Sequence, residues 1–394
     1  MAEPPAKTIH KNVYALSAVS FFTDASSEMI YPLMPIFLTT TLGASAGLLG
    51  VIEGAAETTA ALLKLASGWW SDRVRRRKPL IVLGYGIASA ARPLIAIAQT
   101  ATQVLGIRLI DRVGKGIRGA PRDALIADSV DVSIRGKAFG IQRTADHAGA
   151  VVGPLIAFAV LTWWHTPIRT VFWLSAIPGA IAVAIAVVLV KEAAPPPPEA
   201  KASIDTRVAL PKKFWAALGA VTLFTLGNST DAFLLLRATQ LGVPVALAPI
   251  LWAMLHLVKS TASTPGGILS DRIGRKPAVI AGWAIYALVY LLFARASEAW
   301  HAWALFAVYG IYFGLAEGPE RAMVADIVPG GKRGTAYGWY NLAIGIAALP
   351  ASVVFGLIWD RAGSGAAFTF GAAIAGLAAL ALAVVPMSRT GNAR

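Results

Sequence analysis

The sequence predicts an all-α membrane protein: twelve transmembrane helices in two pseudo-symmetric six-helix bundles. Three observations carry that reading. Of 394 residues, 56% are hydrophobic and 14% charged, against about 25% charged in an ordinary soluble domain, so lipid is the solvent for most of the chain. The apolar runs are roughly 20 residues or longer, enough for a helix to cross the ~30 Å hydrocarbon core. They are rich in Ala, Leu, Val and Ile without two-residue alternation, which excludes a barrel. Finally, the second half of the chain repeats landmarks of the first.

The spans follow in order. Span 1 covers 13–41. Asp24 and Glu28 interrupt it and no small-residue cleavage site follows, so it reads as a retained helix rather than a secretory signal. Tyr31, Pro32 and Pro35 bend its outer half. Span 2, 46–70, carries Glu53, Glu57 and Lys64. Span 3, 78–98, holds a lone internal charge, Arg92. Span 4, 101–127, is the most ionic, with Arg108, Asp111, Arg112, Lys115, Arg118, Arg122 and Asp123. Span 5, 137–161, carries Arg143, Asp146 and His147, and span 6, 167–191, has Arg169 near one end. Pro195 to Pro198, set among Glu192, Glu199, Lys201 and Asp205, mark a linker at 192–211. It separates an N-terminal bundle (1–191) from a C-terminal one (212–394). Span 7, 212–238, holds Asp231 and Arg237; span 8, 244–270, His256 and Lys259; span 9, 277–295, only the terminal Arg295. Span 10, 299–327, carries Glu317, Glu320 and Arg321. Spans 11 and 12 fall near 334–358 and 364–388.

The cations sort by loop. Arg73 to Lys78, Arg135 and Lys137, Lys191 to Lys213, Arg272 to Lys276, and Lys332 with Arg333 alternate with loops such as 39–47 and 98–103 that carry no Lys or Arg. The positive-inside rule places the basic set, the linker and both termini in the cytoplasm. The net charge of +14 is therefore topology, not a nucleic-acid surface. With no cysteine in the chain there is no disulfide, thiolate nucleophile or cysteine metal site. No HExxH, Ser-His-Asp set or aspartate-rich metal motif appears, so neither an enzyme nor a metal centre is expected.

The repeat aligns "SGWWSDRVRRRKP" (67–79) with "GGILSDRIGRKP" (266–277), "PRDA" with "PERA", and "ADSVDVSIRGKAFG" (127–140) with "ADIVPGGKRGTAYG" (325–338). The halves share one orientation, hence an axis along the membrane normal. A charge at bilayer depth costs about 3 kcal/mol on insertion scales, so charged spans avoid lipid. Spans 3, 6, 9 and 12, nearly free of internal charge, read as lipid-facing supports around a polar interior.

At these motifs the chain resembles the major facilitator superfamily along essentially its whole length. The second copy fits that family's loop signature after its second span, and the first departs at Arg75, where glycine is usual. The resemblance implies a conformational latch of Asp72 and Arg73, with Asp271 and Arg272. "RVGKG" (112–116) is similar to the family's span-4 motif. It implies that Arg112 biases proton uptake by a nearby carboxylate: Asp24, Glu28 or Asp146. "GAVVGP" resembles the antiporter motif through Gly149, Gly153 and Pro154, which implies export in exchange for protons by alternating access.

The residues themselves add candidates. Asp24 and Glu28, four apart, share a face; two carboxylates so close do not both carry charge cheaply in low dielectric, which suits a proton carrier. Asp231, beside Asn228, Ser229 and Thr230, occupies the related place in span 7. Arg108, Arg112, Lys115 and Arg122 share a face of span 4. They either attract an anionic or zwitterionic substrate or pair with Glu53, Glu57, Asp111, Asp123 and Glu317. Tyr31, Glu57, Lys115, His147, Asn228, His256, Tyr312, Glu317 and Asn341 are candidates for a substrate cavity, and Tyr309, Tyr312, Trp339 and Tyr340 for an aromatic wall. The expectation is a monomeric, proton-driven exporter of a small molecule in a bacterial inner membrane, without a cofactor. Uptake of an organic anion or metabolite, metal-chelate efflux and a non-transporting receptor or assembly role stand beside it.

Overall fold

The computed structural model describes residues 9–74, 76–130, 134–192, 210–328 and 333–386. Most of the linker therefore lies outside the described residues, as do the side chains of Asp72 and Arg73. The described elements are helical and match the predicted spans. Span 1 is α1 (Lys11–Ile30), a 3-10 turn (Tyr31–Leu33), α2 (Met34–Ile36) and a π-turn (Phe37–Thr41). Spans 2 to 5 are α3 (Ala46–Val74), α4 (Lys78–Ala91) with a 3-10 extension (Arg92–Ile97), α5 (Ala101–Asp128) and α6 (Arg135–Trp163). Span 6 is α7 (Ile168–Leu174) and α8 (Ala176–Val188); span 7 is α9 (Lys212–Gly227) and α10 (Ala232–Gln240). Then come α11 (Ala248–Ile273), α12 (Arg275–Arg295), α13 (Ala299–Ile327) and α14 (Arg333–Val384). The last contains two spans, because Gly363, at φ 83°, turns the chain inside it. That left-handed value is open to glycine without a Cβ penalty.

Among the described residues nine helices are apolar and long enough to cross a membrane, α14 counting once. The two spans missing from that set are the first and fourth, where charges and the Tyr31 break reduce the apolar length. Local chemistry sets the ends. Thr100 and Gln103 form a capping box that starts α5, which satisfies donors that lipid would leave unpaired. Past Pro32 and Pro35, Thr39 and Thr40 donate to the Pro35 and Ile36 carbonyls at 2.8 and 2.7 Å, adding side-chain donors where the helix widens into the π-turn.

The chain forms two compact units: 1–33 with 59–200, and 34–58 with 201–394. In the first, α1 packs on α6 and α8, and α4 on α5 and α8. In the second, α9 packs on α14, and α12 on α13 and α14. The same span pairs meet in each, so the repeat read in the loops is also a repeat of packing. The loops repeat at atomic detail. Arg77 pairs with Asp128, and Arg275 with Asp326 at 3.7 Å. Lys78 Nζ donates to the Val187 carbonyl at 2.7 Å; Lys276 Nζ donates to those of Ala383 and Val385 at 2.6 and 2.8 Å. Each lysine thus neutralises the carbonyl end of the sixth span of its repeat. Gly274, at φ 97°, makes the tight turn of the second signature.

Gly149 and Gly153 of α6 lie on α1. A Cβ on Gly149 would stand 3.1 Å from the Ala25 nitrogen, and one on Gly153 3.0 Å from the Ala25 Cα. The small-residue face is therefore used for backbone contact. In the second unit the start of α3 meets α14. A Cβ on Gly54 would stand 2.8 Å from the Leu349 Cα, and Thr58 donates to the Gly345 carbonyl at 2.6 Å. Asp360 accepts from the Ala46 and Gly47 amides at 2.8 and 2.7 Å, capping the helix start with a carboxylate.

Candidate functional site

The first unit holds a cationic interior built by α5. Asp111, 1% exposed, is its hub. Arg92 Nε donates to it at 2.9 Å, while Arg108 and Arg112 stand 3.6 and 3.7 Å away. Arg92 also donates to the Thr23 carbonyl of α1 at 3.1 Å, so this cluster ties spans 1, 3 and 4 together. A permanent cation at this depth needs such a partner. Arg112 pairs with its neighbour Asp111. Adjacency in sequence decides this: Asp111 projects into the same buried layer, and three guanidinium groups converge on it.

One to three turns further along α5 the character changes. Arg118 is buried, with its guanidinium carbon 4.2 Å over the Tyr85 ring, and its Nη1 has no hydrogen-bond partner. Arg122 donates to Asp123 at 2.9 and 3.0 Å and to Ser20 at 3.2 Å. Gln142 joins the same Ser20 at 3.2 Å and donates to Asp146 at 2.6 Å. The chain Arg122–Ser20–Gln142–Asp146 thus links spans 4, 1 and 5. Asp24 is half-buried, within electrostatic range of Asp146, Glu28, Arg118 and Arg122. The sequence thus named the carboxylates that gather here, and of the two roles it offered the span-4 arginines, Arg112 and Arg122 take the pairing with Asp111 and Asp123. Lys115 is exposed while Arg108 and Arg112 are buried, so the predicted cationic stripe divides between two environments. His147 is half-buried nearby on α6, and Tyr31 opens the break after α1.

The second unit is acidic and aromatic. Between α9 and α10 the chain leaves the helix at residues 228–231. Such breaks are tolerated at membrane depth only inside protein, and side chains fill the gap. Tyr309 donates to Asp231 at 2.6 Å, Tyr286 to the Gly227 carbonyl at 3.1 Å, and Ser229 meets the Tyr290 hydroxyl at 3.4 Å. Asn228 reaches the Tyr312 hydroxyl only at 3.5 Å. Tyr286, Tyr290, Tyr309 and Tyr312 lie with ring centroids 4.1 to 6.3 Å apart. Two of these belong to span 9, expected as a lipid-facing support; its Tyr286 and Tyr290 are fully buried while Leu288 is exposed. A face read as apolar by its lack of charge therefore supplies phenol hydroxyls.

Glu320 accepts from Trp283 at 2.7 Å and from Tyr340 at 2.9 Å. Glu317 pairs with Lys259 and Arg321 at 3.4 and 3.6 Å, and Lys259 lies 3.9 Å over the Phe313 ring. His256 packs against Trp252. Asn341 is exposed and donates to the Tyr337 carbonyl of its own helix at 2.8 Å, and Glu57 is exposed. Asp271 pairs with Arg275 inside its own loop, and Arg272 is exposed. The Asp111–Arg92 hub and Glu320 had a signal in the sequence: each is an ionisable group inside a span, and Arg92 lacked any partner on its own helix. Among the described residues no three His, Cys, Asp or Glu side chains gather as a metal site.

Helices that carry charge on inward faces, in two repeated units, define a polytopic membrane transporter. The family model of the Major Facilitator Superfamily matches residues 16–260 and 217–394, and the chain belongs to that superfamily. It is 33% identical over 360 residues to an uncharacterised MFS-type transporter of Methanocaldococcus jannaschii, covering 90% of this chain and 89% of that one. It is 24% identical over 329 residues to the inner membrane transport protein YajR of Escherichia coli, covering 79% and 69%. Among solved structures it resembles the nucleoside transporter NupG, with TM-score 0.77 at 14% identity over 95% of this chain and 98% of that one. A bacterial homologue of the human lysosomal transporter Spinster, inward-facing and unoccupied, gives TM-score 0.74 at 18% identity over 95% and 94%. The protein is a multi-pass membrane transporter of small molecules, not an enzyme, and transporters of this family generally need no cofactor.

Proposed function

We propose that the protein is a proton-coupled exporter. It exchanges a small molecule for protons by alternating access in a bacterial inner membrane, with both termini and the basic loops cytoplasmic. The six-helix bundles of 1–191 and 212–394 are its moving parts, one copy of the chain suffices, and the proton gradient is the energy source. The observation that carries this reading is the gathering of Asp24, Glu28 and Asp146 with Arg118 and Arg122. Carboxylates packed together in low dielectric exchange a proton at small cost, and an adjoining fixed cation favours the ionised form. Loading from one side and unloading to the other follows if the bundles rock. Asp231 is the corresponding carboxylate of the second repeat.

Export is supported by the span-5 glycines, whose contact with α1 puts the antiporter-like motif on the helix that bears Asp24. A multidrug resistance protein of Cronobacter sakazakii, MdtH, is 28% identical over 135 residues, 34% of this chain and 33% of that one. A second reading, proton-driven uptake of an organic anion, is favoured by the buried Arg118. The test is transport in proteoliposomes under an imposed pH gradient. Replacing Asp24, Glu28 and Asp146 together by Asn, Gln and Asn leaves downhill counterflow and removes gradient-driven accumulation. Full accumulation in that triple variant overturns proton coupling at this cluster, and the side on which substrate accumulates decides between export and uptake.

A further inference from the structure

Among the described residues of the first unit, Arg118 is a buried cation that none of the ion pairs engages. Asp111 takes Arg92, Arg108 and Arg112. Asp123 takes Arg122 and, at 3.8 Å, Lys64. Asp146 is held by Gln142. Arg118 is 6% exposed. Its guanidinium lies on the face of Tyr85, and its Nη1 is without a hydrogen-bond partner. The Tyr85 hydroxyl, fully buried, is unpartnered too. Cation–π contact spreads over the ring and leaves the N–H edge of the guanidinium unused.

The side chain cannot escape to water. Arg118 lies ten residues before the end of α5, about 15 Å at 1.5 Å per residue. Its backbone is pinned against α4: a Cβ on Gly84 would stand 2.9 Å from the Arg118 nitrogen and 2.7 Å from its Cβ. An arginine does not discharge by losing its proton, and an uncompensated buried charge is among the costliest features a core can hold. Two buried donors in contacting side chains, a planar fork and a phenol, each lacking an acceptor, match the chemistry of an oxyanion.

We propose that Arg118 and Tyr85 form an oxyanion-binding site within the first unit, which receives a carboxylate or phosphate-ester group of the transported substrate. This rests on the transporter reading and names a substrate class. The Asp24 carboxylate, within electrostatic reach of Arg118, borders the site, so the anion and the negative charge of Asp24 compete for the same guanidinium.

The test uses the full-length protein in detergent, melted by intrinsic tryptophan fluorescence with benzoate, inorganic phosphate, benzyl alcohol or benzylamine. Benzoate or phosphate raises the melting temperature and the two uncharged or cationic probes do not. Benzoate without phosphate points to a carboxylate substrate, and phosphate without benzoate to a phosphate ester. Arg118→Gln weakens the response by roughly 10- to 100-fold, the loss of a charge-assisted hydrogen bond. Arg118→Lys restores part of it, and Asp24→Asn, which removes the competing charge, strengthens it. Tyr85→Phe weakens it while the ring still supports the arginine. The proposal is overturned by equal anion responses in Arg118→Gln and the parent, or by no oxyanion response at all. Because these readouts need no proton gradient, loss of coupling in the Asp24 variants does not abolish them.

Discussion

Replacing Asp111 by Asn removes the counter-charge of three arginines while changing little volume. Arg92, Arg108 and Arg112 stand 2.9, 3.6 and 3.7 Å from its oxygens, and side-chain exposure at all four is below 10%. Removing one partner from a buried pair costs about 3–5 kcal/mol, because the remaining charge is left in low dielectric. Three cations share this carboxylate, so the upper end applies. The loss spreads over spans 1, 3 and 4, since Arg92 also holds the Thr23 carbonyl. At about 2–4 °C per kcal/mol for a unit of this size, melting falls by roughly 10–20 °C. Tryptophan fluorescence melting of the detergent-purified protein reads this directly. Adding Arg92→Leu to Asp111→Asn recovers part of the loss, because one uncompensated cation goes. Asp111→Asn melting within about 2 °C of the parent, less than the shift expected from 1 kcal/mol, with transport unchanged, refutes the claim that this carboxylate organises the cationic interior.

Two further outcomes follow from packing. Gly153→Leu forces a side chain into the Ala25 backbone, where α1 cannot retreat without moving Asp24; the variant loses roughly 1–3 kcal/mol, read as a lower melting temperature and less folded protein on size exclusion. Asp360→Asn keeps an acceptor for the α3 amides but removes the negative charge from the helix start, which costs about 0.3–1 kcal/mol. The same melting assay reads it, and an unchanged curve removes that charge from the forces that hold α3 on α14.

Much of the architecture was legible. Apolar run length located the spans, and their ends agree with the observed helices to within a few residues, as at 299–327 against Ala299–Ile327. The offset of the two Asp-Arg signatures revealed the repeat, and Lys78 with Lys276 shows why it extends to single atoms: each cation serves the same carbonyl terminus. The break at residues 228–231 was not legible. No proline marks it, and the helix gives way because Tyr286, Tyr309 and Ser229 offer its backbone and side chains other partners. The aromatic wall was half seen. Tyr309 and Tyr312 sit on a visibly charged span, whereas Tyr286 and Tyr290 hide on a span whose apolar composition suggested lipid on every side.

By itself, the sequence determined that lipid surrounds the chain, which segments cross it, that the halves are alike and that charge is carried at membrane depth. Those properties follow from transfer free energies, which depend on composition along a short window. Which charge meets which depended on the tertiary structure. Arg92, from another span, turned to Asp111, and Arg118 lies over a tyrosine face. Ion pairing decays within a few ångströms and is set by helix rotation and glycine-permitted approach, quantities that no linear pattern of residues encodes.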